Sequence, residues 1–403
     1  MQHLSLNVEP DPGDLKAQQA DLPPTPINVL FMLPTLQGGG AEKTMVDLIR
    51  SFATESIKPT LAVFHLHNAI YVSKVPRGCP IINMDCKRAR KSPVAILRTV
   101  WRIRPEILLV SLSHLILLVG LMRWLLPPRV KLVAQQVAML STLIGKGRNP
   151  RLEIFFYRLS YSRFDLIICV SNAVAEDLHK TLGIGSEKLK VIYNPVDQAD
   201  IASQLADAAA CAEADEYFRT FPRGVSLLLA AGGLNRNKGF DLLIDAMVLC
   251  NNDNLHAVIL GDGEETAALQ AQIARNGLTH RVHLVGFKRR PCSWLRRADA
   301  FVLTSRAEAF GNVMIEAIAC GLPVIATPAY GAVREILQDI PGCIVATDIS
   351  APALAEAIRS WCRTPRIRLN PAVVDKYAIG GISTSYINSF RDVLTSGSRE
   401  GIT

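Results

Sequence analysis

Short apolar runs alternate along the chain with stretches in which apolar residues return every third or fourth position. The runs read as buried strands, and the periodic stretches between them as amphipathic helices. Residues 27–36 form the first strand; beyond a triple glycine, Met45, Leu48, Ile49 and Phe52 fall on one helical face. Strands follow at 61–66, 80–84, 107–112, 130–135, 166–170 and 190–193, with helices at 95–102, 152–161 and 173–182. An Ala- and Asp-rich helical stretch at 198–218 and the turn Pro222-Arg223-Gly224 interrupt the alternation. It restarts with strands at 226–231, 256–260, 282–285, 300–303, 323–326 and Ile344-Val345, interleaved with helices at 240–249, 264–276, 291–298 and 312–319, and ends with helices at 352–361 and 387–394. Such alternation specifies parallel sheets, and 403 residues with 49% hydrophobic content can bury two cores of ordinary domain size. The reading is an α/β chain of two doubly wound parallel-sheet domains, 27–197 and 225–370, joined by 198–224 and closed by a segment at 371–403.

The densest chemistry lies between Thr304 and Ile336, where Glu308 and Glu316 stand with seven residues between them. Phe310-Gly311-Asn312 opens the helix at 312–319, and the unpaired amides of a helix start attract an anion. Glu308 then sits beside that anion and Glu316 reaches past it, so one carboxylate meets each side of a bound diphosphate. A nucleotide-sugar has that shape, with hydroxyls at both ends. Lys238, beside Gly239 at the start of another helix, can reach a phosphate oxygen. His114 lies just past the C-terminal end of a buried strand, where parallel sheets place their ligands. Gly38, Gly39 and Gly40 permit close backbone approach to a ligand, but the Walker lysine and the GxGxxG spacing are absent, which counts against ATPase and dehydrogenase chemistry. The pairs His65/His67 and His280/His283 lack a third partner nearby in sequence, so neither a metal nor another cofactor is expected.

Several segments follow one another in a familiar order. They are Val29-Leu30-Phe31-Met32 leading to Gln37-Gly38-Gly39-Gly40-Ala41-Glu42; Cys169-Val170-Ser171-Asn172; Val191 to Asp197; Ala230-Ala231-Gly232-Gly233 running to Lys238-Gly239; Leu260-Gly261-Asp262-Gly263; Val285-Gly286-Phe287; and the Glu308/Glu316 stretch. Over roughly residues 27 to 340 this resembles the retaining glycosyltransferases of family 4, whose GT-B fold sets two Rossmann-like domains face to face across a cleft. The resemblance implies metal-independent transfer of a hexose or N-acetylhexosamine from a nucleoside-diphosphate sugar, with UDP favoured, to a hydroxyl of a glycan or lipid-linked acceptor. It implies donor binding by Gly38, Gly39, Gly40, Arg236, Lys238, Gly261, Phe287, Glu308, Phe310, Gly311, Asn312 and Glu316, with His114, Glu308 and Lys238 in catalysis. It also implies a last helix that returns to the first domain. One position departs: the family has an arginine where this chain has Gly233, and Arg236, nearby on the same loop, is the candidate to replace it. That departure keeps open a non-catalytic nucleotide-sugar-binding scaffold, beside another GT-B activity such as a nucleotide-sugar epimerase.

The net charge of +8 is uneven. Residues 87–151 hold thirteen Lys or Arg against Glu106 alone, interleaved with Trp101 and Trp124. An anionic membrane surface suits that mixture, with a solvated basic face as the plainer alternative. No helix-turn-helix, zinc-finger or RNA-recognition pattern accompanies the charge, so nucleic acid is not an expected partner. Residues 107–126 are apolar enough to imitate a membrane span, but they read as a buried strand followed by a helix. Nine scattered cysteines without CxxC pairs and a polar, proline-bearing segment at 1–26, read as a disordered leader, fit a cytoplasmic protein held peripherally at the inner face of the membrane. Bacterial cell-envelope polysaccharide or glycolipid synthesis is the expected setting.

Overall fold

The computed structural model describes residues 25–52, 56–86, 92–144 and 149–396. Nearly all of the leader at 1–26, and the basic run Lys87, Arg88, Arg90 and Lys91, lie outside the described residues.

In chain order the strands are β1 Ile27–Leu33, β2 Ile57–Val63, β3 Ile81–Asn83, β4 Ile107–Ser111, β5 Lys131–Gln136, β6 Leu166–Cys169, β7 Leu189–Val191, β8 Ser226–Ala231, β9 Leu255–Leu260, β10 Val282–Gly286, β11 Ala300–Leu303, β12 Ala307–Glu308, β13 Val324–Ala326, β14 Tyr330–Gly331 and β15 Ile344–Val345. They build a seven-stranded sheet ordered β3-β2-β1-β4-β5-β6-β7 and a six-stranded sheet ordered β10-β9-β8-β11-β13-β15. Every pairing in both sheets is parallel. Helices cover both faces, which is why β4 and β9 are buried at every position and are apolar at all but one position each, Ser111 and His256. The strand order reverses between β1 and β4 in one sheet and between β8 and β11 in the other. At such a reversal neighbouring connections leave the strand ends in opposite directions and open a crevice.

The stretch 107–126 resolves into β4, the helix Ser113–Leu121 and a turn at Arg123–Leu125. Among the described residues no helix is long and apolar enough to cross a membrane. Some boundaries differ from the sequence reading. The helical stretch at 198–218 is two helices, Gln198–Ala206 and Ala208–Phe218, because Asp207 ends the first and caps the second by accepting from Ala210 N at 3.0 Å. The helix expected at 291–298 stops at Leu295, and the small pair β12–β14 carries no strand-length pattern to reveal it.

The chain crosses back near its end. Val196 N donates to Tyr377 O at 2.8 Å and Ile379 N to Val196 O at 3.1 Å, and the helix Ile379–Ser396 then lies on the first domain. Tyr386 and Phe390 bury their rings 6.4 Å from that of Phe52, and Gln135 Nε2 donates to Tyr386 Oη at 2.9 Å.

On the second sheet His256 and His283 stack at 6.2 Å with Phe221 edge-on to both, at 5.2 and 5.0 Å. Burial holds both imidazoles below their ordinary range, helped by Arg281 for His256 and by His256 itself for His283. The unfolded chain therefore binds more protons than the folded one. Stability is whole above the ordinary histidine value of 6.5 and is lost as pH falls from there through the folded values. The melting temperature is expected to fall between about pH 7.5 and about pH 5.5, and the double substitution His256→Asn, His283→Asn to flatten that slope.

Candidate active site

The two strand-order reversals deliver four loops to one cleft. After β8, Asn235 Oδ1 accepts from the amides of Asn237 and Lys238 at 3.1 and 3.3 Å and caps a tight turn, Arg236–Lys238. That turn is sewn to the segment after β11. Thr304 Oγ1 donates to Lys238 O at 2.7 Å, Arg306 N to Asn237 O at 2.8 Å, and Asn237 Nδ2 to Ala307 O at 2.9 Å. The Arg306 guanidinium grips Asp241 at 2.9 and 2.6 Å and Arg236 O at 2.6 Å. Gly261, after β9, has φ +147°, and a Cβ there would collide with the Gly232 carbonyl, so these two loops close up only with glycine.

This framework brings Lys238 Nζ to 2.7 Å from Glu308 Oε2, and Ser305 Oγ donates to the same oxygen at 2.8 Å. Gly311, at φ +91°, turns the chain into the helix Asn312–Ala319, whose start no side chain caps. Glu316 points to the first domain, where Lys43 Nζ meets its Oε1 at 3.1 Å. Phe287 follows β10 with 55% of its surface exposed.

Across the cleft, the glycine loop after β1 leads into the helix Gly40–Ser51. After β4, Leu112 takes φ +74°, a costly conformation for a leucine, and turns sharply into the helix Ser113–Leu121. Gln136 holds that helix start: its Nε2 donates to Ser113 Oγ at 3.1 Å while its Oε1 accepts from Tyr161 Oη at 2.7 Å. His114 is exposed on the first turn, and the bulk packed around it lowers its pKa.

The domains meet at the start of the helix Asn312–Ala319. Asn312 Nδ2 donates to Thr44 Oγ1 at 3.0 Å and to Gly40 O at 3.4 Å, and Asn312 Oδ1 accepts from Asn194 Nδ2 at 2.9 Å. Ser171 Oγ donates to Ala309 O at 2.8 Å. Glu335 accepts from Tyr193 Oη at 2.7 Å and from Asn172 Nδ2 at 2.8 Å.

Of the residues singled out from sequence, Lys238 and Glu308 touch, Gly40 and Asn312 touch, Gly261 backs the Gly232 turn, and Gly38 and Gly39 lead into the facing helix. Three are placed otherwise. Phe310 is 3% exposed, with its ring 6.0 Å from that of Tyr193 and 5.5 Å from that of Tyr377, so its side chain belongs to the domain junction and only its backbone faces the loop. The Arg236 side chain is exposed and joins no ion pair among the described residues. Among those residues His114 also has no polar contact with the second domain. Sequence reasoning missed Lys43, Ser305 and Arg306. Lys43 carried one signal, its spacing of four from Asp47, which reads as an ordinary surface helix pair. Among the described residues no three His, Cys, Asp or Glu side chains converge as a metal site.

Two parallel-sheet domains with their strand ends facing across one cleft define the GT-B class. Residues 214–373 match the family model for glycosyl transferases group 1, and residues 38–200 match that for glycosyltransferase family 4. The chain belongs to these family 4, group 1 glycosyltransferases. It is 25% identical over 320 residues, 76% of this chain and 82% of the relative, to the N-acetylgalactosamine-N,N'-diacetylbacillosaminyl-diphospho-undecaprenol 4-alpha-N-acetylgalactosaminyltransferase of Campylobacter jejuni. It is 26% identical to the O-antigen biosynthesis glycosyltransferase WclY of Escherichia coli, over 52% of this chain and 58% of that one. Among solved structures, Anabaena Alr3699/HepE in complex with UDP and glucose superposes with a TM-score of 0.75 at 19% identity, covering 91% of this chain and 99% of that chain. The lipopolysaccharide outer core galactosyltransferase WaaB superposes with a TM-score of 0.66 at 15% identity, covering 91% and 99%.

Lys238→Ala and Glu316→Gln are each expected to lower the transfer rate on the order of 100-fold, as removal of a preorganised charged contact does; Glu316→Gln should melt close to the wild type, and Lys238→Ala lower, because it leaves Glu308 with Ser305 alone. Steady-state kinetics beside thermal melts checks this. Gly233 is exposed and takes no left-handed φ, and a Cβ there would lie 3.4 Å from the Asn235 Nδ2. Gly233→Arg is therefore expected to fold and to tighten nucleoside-diphosphate binding about tenfold or more by calorimetry, as a charge-assisted contact adds about 1.5 kcal/mol or more.

Proposed function

We propose that the chain is a retaining transferase that moves a hexose or N-acetylhexosamine from a nucleoside-diphosphate sugar, UDP favoured, to a hydroxyl of a glycan or lipid-linked acceptor. Its setting is bacterial cell-envelope polysaccharide or glycolipid synthesis at the cytoplasmic face of the membrane. The observation that carries this reading is the Lys238–Glu308 pair, set at the β8/β11 reversal beside the uncapped start of the helix Asn312–Ala319. Lys238 and the amides at 310–312 meet the diphosphate, Glu308 the sugar hydroxyls, Glu316 the ribose hydroxyls, and His114 approaches the donor sugar from the opposite domain. As the bond from the anomeric carbon to the diphosphate oxygen breaks, negative charge grows where Lys238 and those amides stabilise it. The acceptor oxygen bonds to the anomeric carbon, and the departing phosphate takes its proton. The relatives support the substrate classes: one is named for a diphospho-undecaprenol acceptor, and a structural neighbour was solved with UDP and glucose.

Gly233, in place of the family arginine, favours a second reading, a nucleotide-sugar-binding scaffold without turnover. Incubating purified protein with UDP- and GDP-sugars separates the two: sugar transfer or donor hydrolysis supports the transferase, and binding without turnover supports the scaffold. Turnover is expected to persist in excess EDTA, because Lys238 and the helix-start amides supply the positive charge; full inhibition reversed by a divalent cation would contradict this.

An anionic bilayer is the partner of the first domain in this proposal. Trp101, Trp124, Leu125, Leu152 and Phe155 are 48 to 78% exposed. Trp101 Nε1 donates to Leu125 O at 2.9 Å, and the Arg163 guanidinium lies 4.4 Å over the Trp124 ring, which joins two of these segments with a cation among them. Arg98, Arg102 and Arg151 are exposed on the same helices, and Arg129 is exposed in the turn just before β5. Apolar rings among arginines suit an interfacial surface, each cation adding about 1 kcal/mol near anionic lipid. Co-sedimentation is expected with phosphatidylglycerol vesicles but not with phosphatidylcholine alone. It should fall steeply as salt rises and weaken in Trp124→Ser or when Lys87, Arg88, Arg90 and Lys91 are neutralised.

A further inference from the structure

Lys43, Asp47 and Arg50 lie along one side of the helix Gly40–Ser51, and with two acids from elsewhere they form a chain of alternating charge. Glu316 Oε1 is 3.1 Å from Lys43 Nζ, Lys43 Nζ 3.0 Å from Asp47 Oδ2, Asp47 Oδ1 3.6 Å from Arg50 Nη1, and that nitrogen 3.8 Å from Asp197 Oδ2. Asp197 caps the helix Gln198–Ala206 and directly follows Val196, the residue that hydrogen-bonds the crossover at Tyr377 and Ile379. The chain therefore runs from the cleft carboxylate to the point where the polypeptide passes between domains. Asp47 is 3% exposed and needs its cations. Burial by itself would lower the Lys43 pKa, but the Glu316 and Asp47 carboxylates outweigh it and hold the ammonium above its ordinary range. Tyr71 stands in the same field.

We propose that Lys43 is a positioning residue for Glu316. By engaging Oε1 it fixes the carboxylate and leaves Oε2 to accept from a ribose hydroxyl. Because the ammonium comes from the first domain and the carboxylate from the second, this positioning exists only while the domains are closed, and ribose recognition is thereby coupled to closure. The inference rests on the reading that Glu316 takes the ribose hydroxyls.

The test is a ratio. Dissociation constants of UDP, GDP and ADP are measured by calorimetry, and the tightest binder is compared with its 2′-deoxy counterpart in the wild type, Glu316→Gln, Lys43→Met and Lys43→Arg. The wild type is expected to prefer the ribonucleotide about tenfold, the size of a hydrogen bond to a charged group. Glu316→Gln should bring the ratio near one, Lys43→Met should lower it most of the way, and Lys43→Arg should restore part of it. A purely structural lysine would weaken both ligands alike and leave the ratio unchanged. Should Lys43→Met fold poorly, the double variant Lys43→Met, Asp47→Asn removes the cation together with the more deeply buried of its two acids, and the same ratio is read. A ratio kept in the Lys43 variants but lost in Glu316→Gln overturns the positioning role and leaves the ribose reading standing. A wild type that does not discriminate, or that binds none of the three nucleotides, overturns both.

Discussion

The cleft depends on how the second domain's helix start is held by the first. Phe310 is locked by two tyrosine rings, Tyr193 from the end of the first domain and Tyr377 from the returning chain. Asn312 saturates its side chain against Gly40, Thr44 and Asn194. Aromatic contacts of this kind each contribute about 0.5 to 1.5 kcal/mol beyond area burial. The polar contacts add direction, because an asparagine satisfied on both its amide and its carbonyl side tolerates little displacement. The Gly311 turn, Glu308 before it and Glu316 one turn beyond inherit their positions from this junction. A Cβ on Gly40 would stand 3.4 Å from Asn312 Nδ2, in van der Waals contact with the residue that joins the domains.

The two sheets solve one topological problem twice. Each reverses its strand order, at β1/β4 and at β8/β11, and so opens its crevice there. Facing the crevices makes a single cleft to which each half brings different chemistry. The second half brings fixed charge on a turn tied by Thr304, Arg306 and Asn237. The first brings backbone without side chains in the glycine loop, and His114 behind a strained leucine. A leucine at φ +74° persists only where its surroundings over-determine it, and here Gln136 and Tyr161 brace the next residue, Ser113.

Local signals in the sequence carried most of the fold and failed wherever a contact joined distant residues. The strands were legible because a parallel strand covered on both faces is apolar at nearly every position. Lys238 and the Glu308/Glu316 spacing were legible because loops at strand ends concentrate charge between glycines. Asp207 hid its helix break inside an alanine-rich run that favours helix throughout. Leu112 gave no sign of positive φ, since no glycine marks the turn. Phe310 was read with its neighbours as part of an anion site, yet its apolar ring gains more from burial between Tyr193 and Tyr377 than from a polar cleft. Lys43 and Glu316 are far apart in the chain, and periodicity within a helix cannot report a partner in another domain.

The cleft holds its charges as pairs, Lys238 with Glu308 and Lys43 with Glu316. The carboxylates are only 12 and 13% exposed, and a lone carboxylate at such depth would cost several kcal/mol. Pairing does not disable them. An ammonium has three N–H donors and a carboxylate about four acceptor sites, so Lys238 can keep Glu308 while donating to a phosphate oxygen, and Glu316 can keep Lys43 while accepting from a hydroxyl. The pairs are therefore preorganised, and ligand binding adds bonds to them instead of breaking them. In the proposed donor site the Gly233 departure bears hardest on the diphosphate. Part of the Lys238 charge already answers Glu308, and with no arginine at 233 the uncapped amides of the helix Asn312–Ala319 must carry a larger share of a bound diphosphate's charge. Their position is the one that Phe310 and Asn312 fix across the domain junction, so the proposed anion site is complete only with the domains closed.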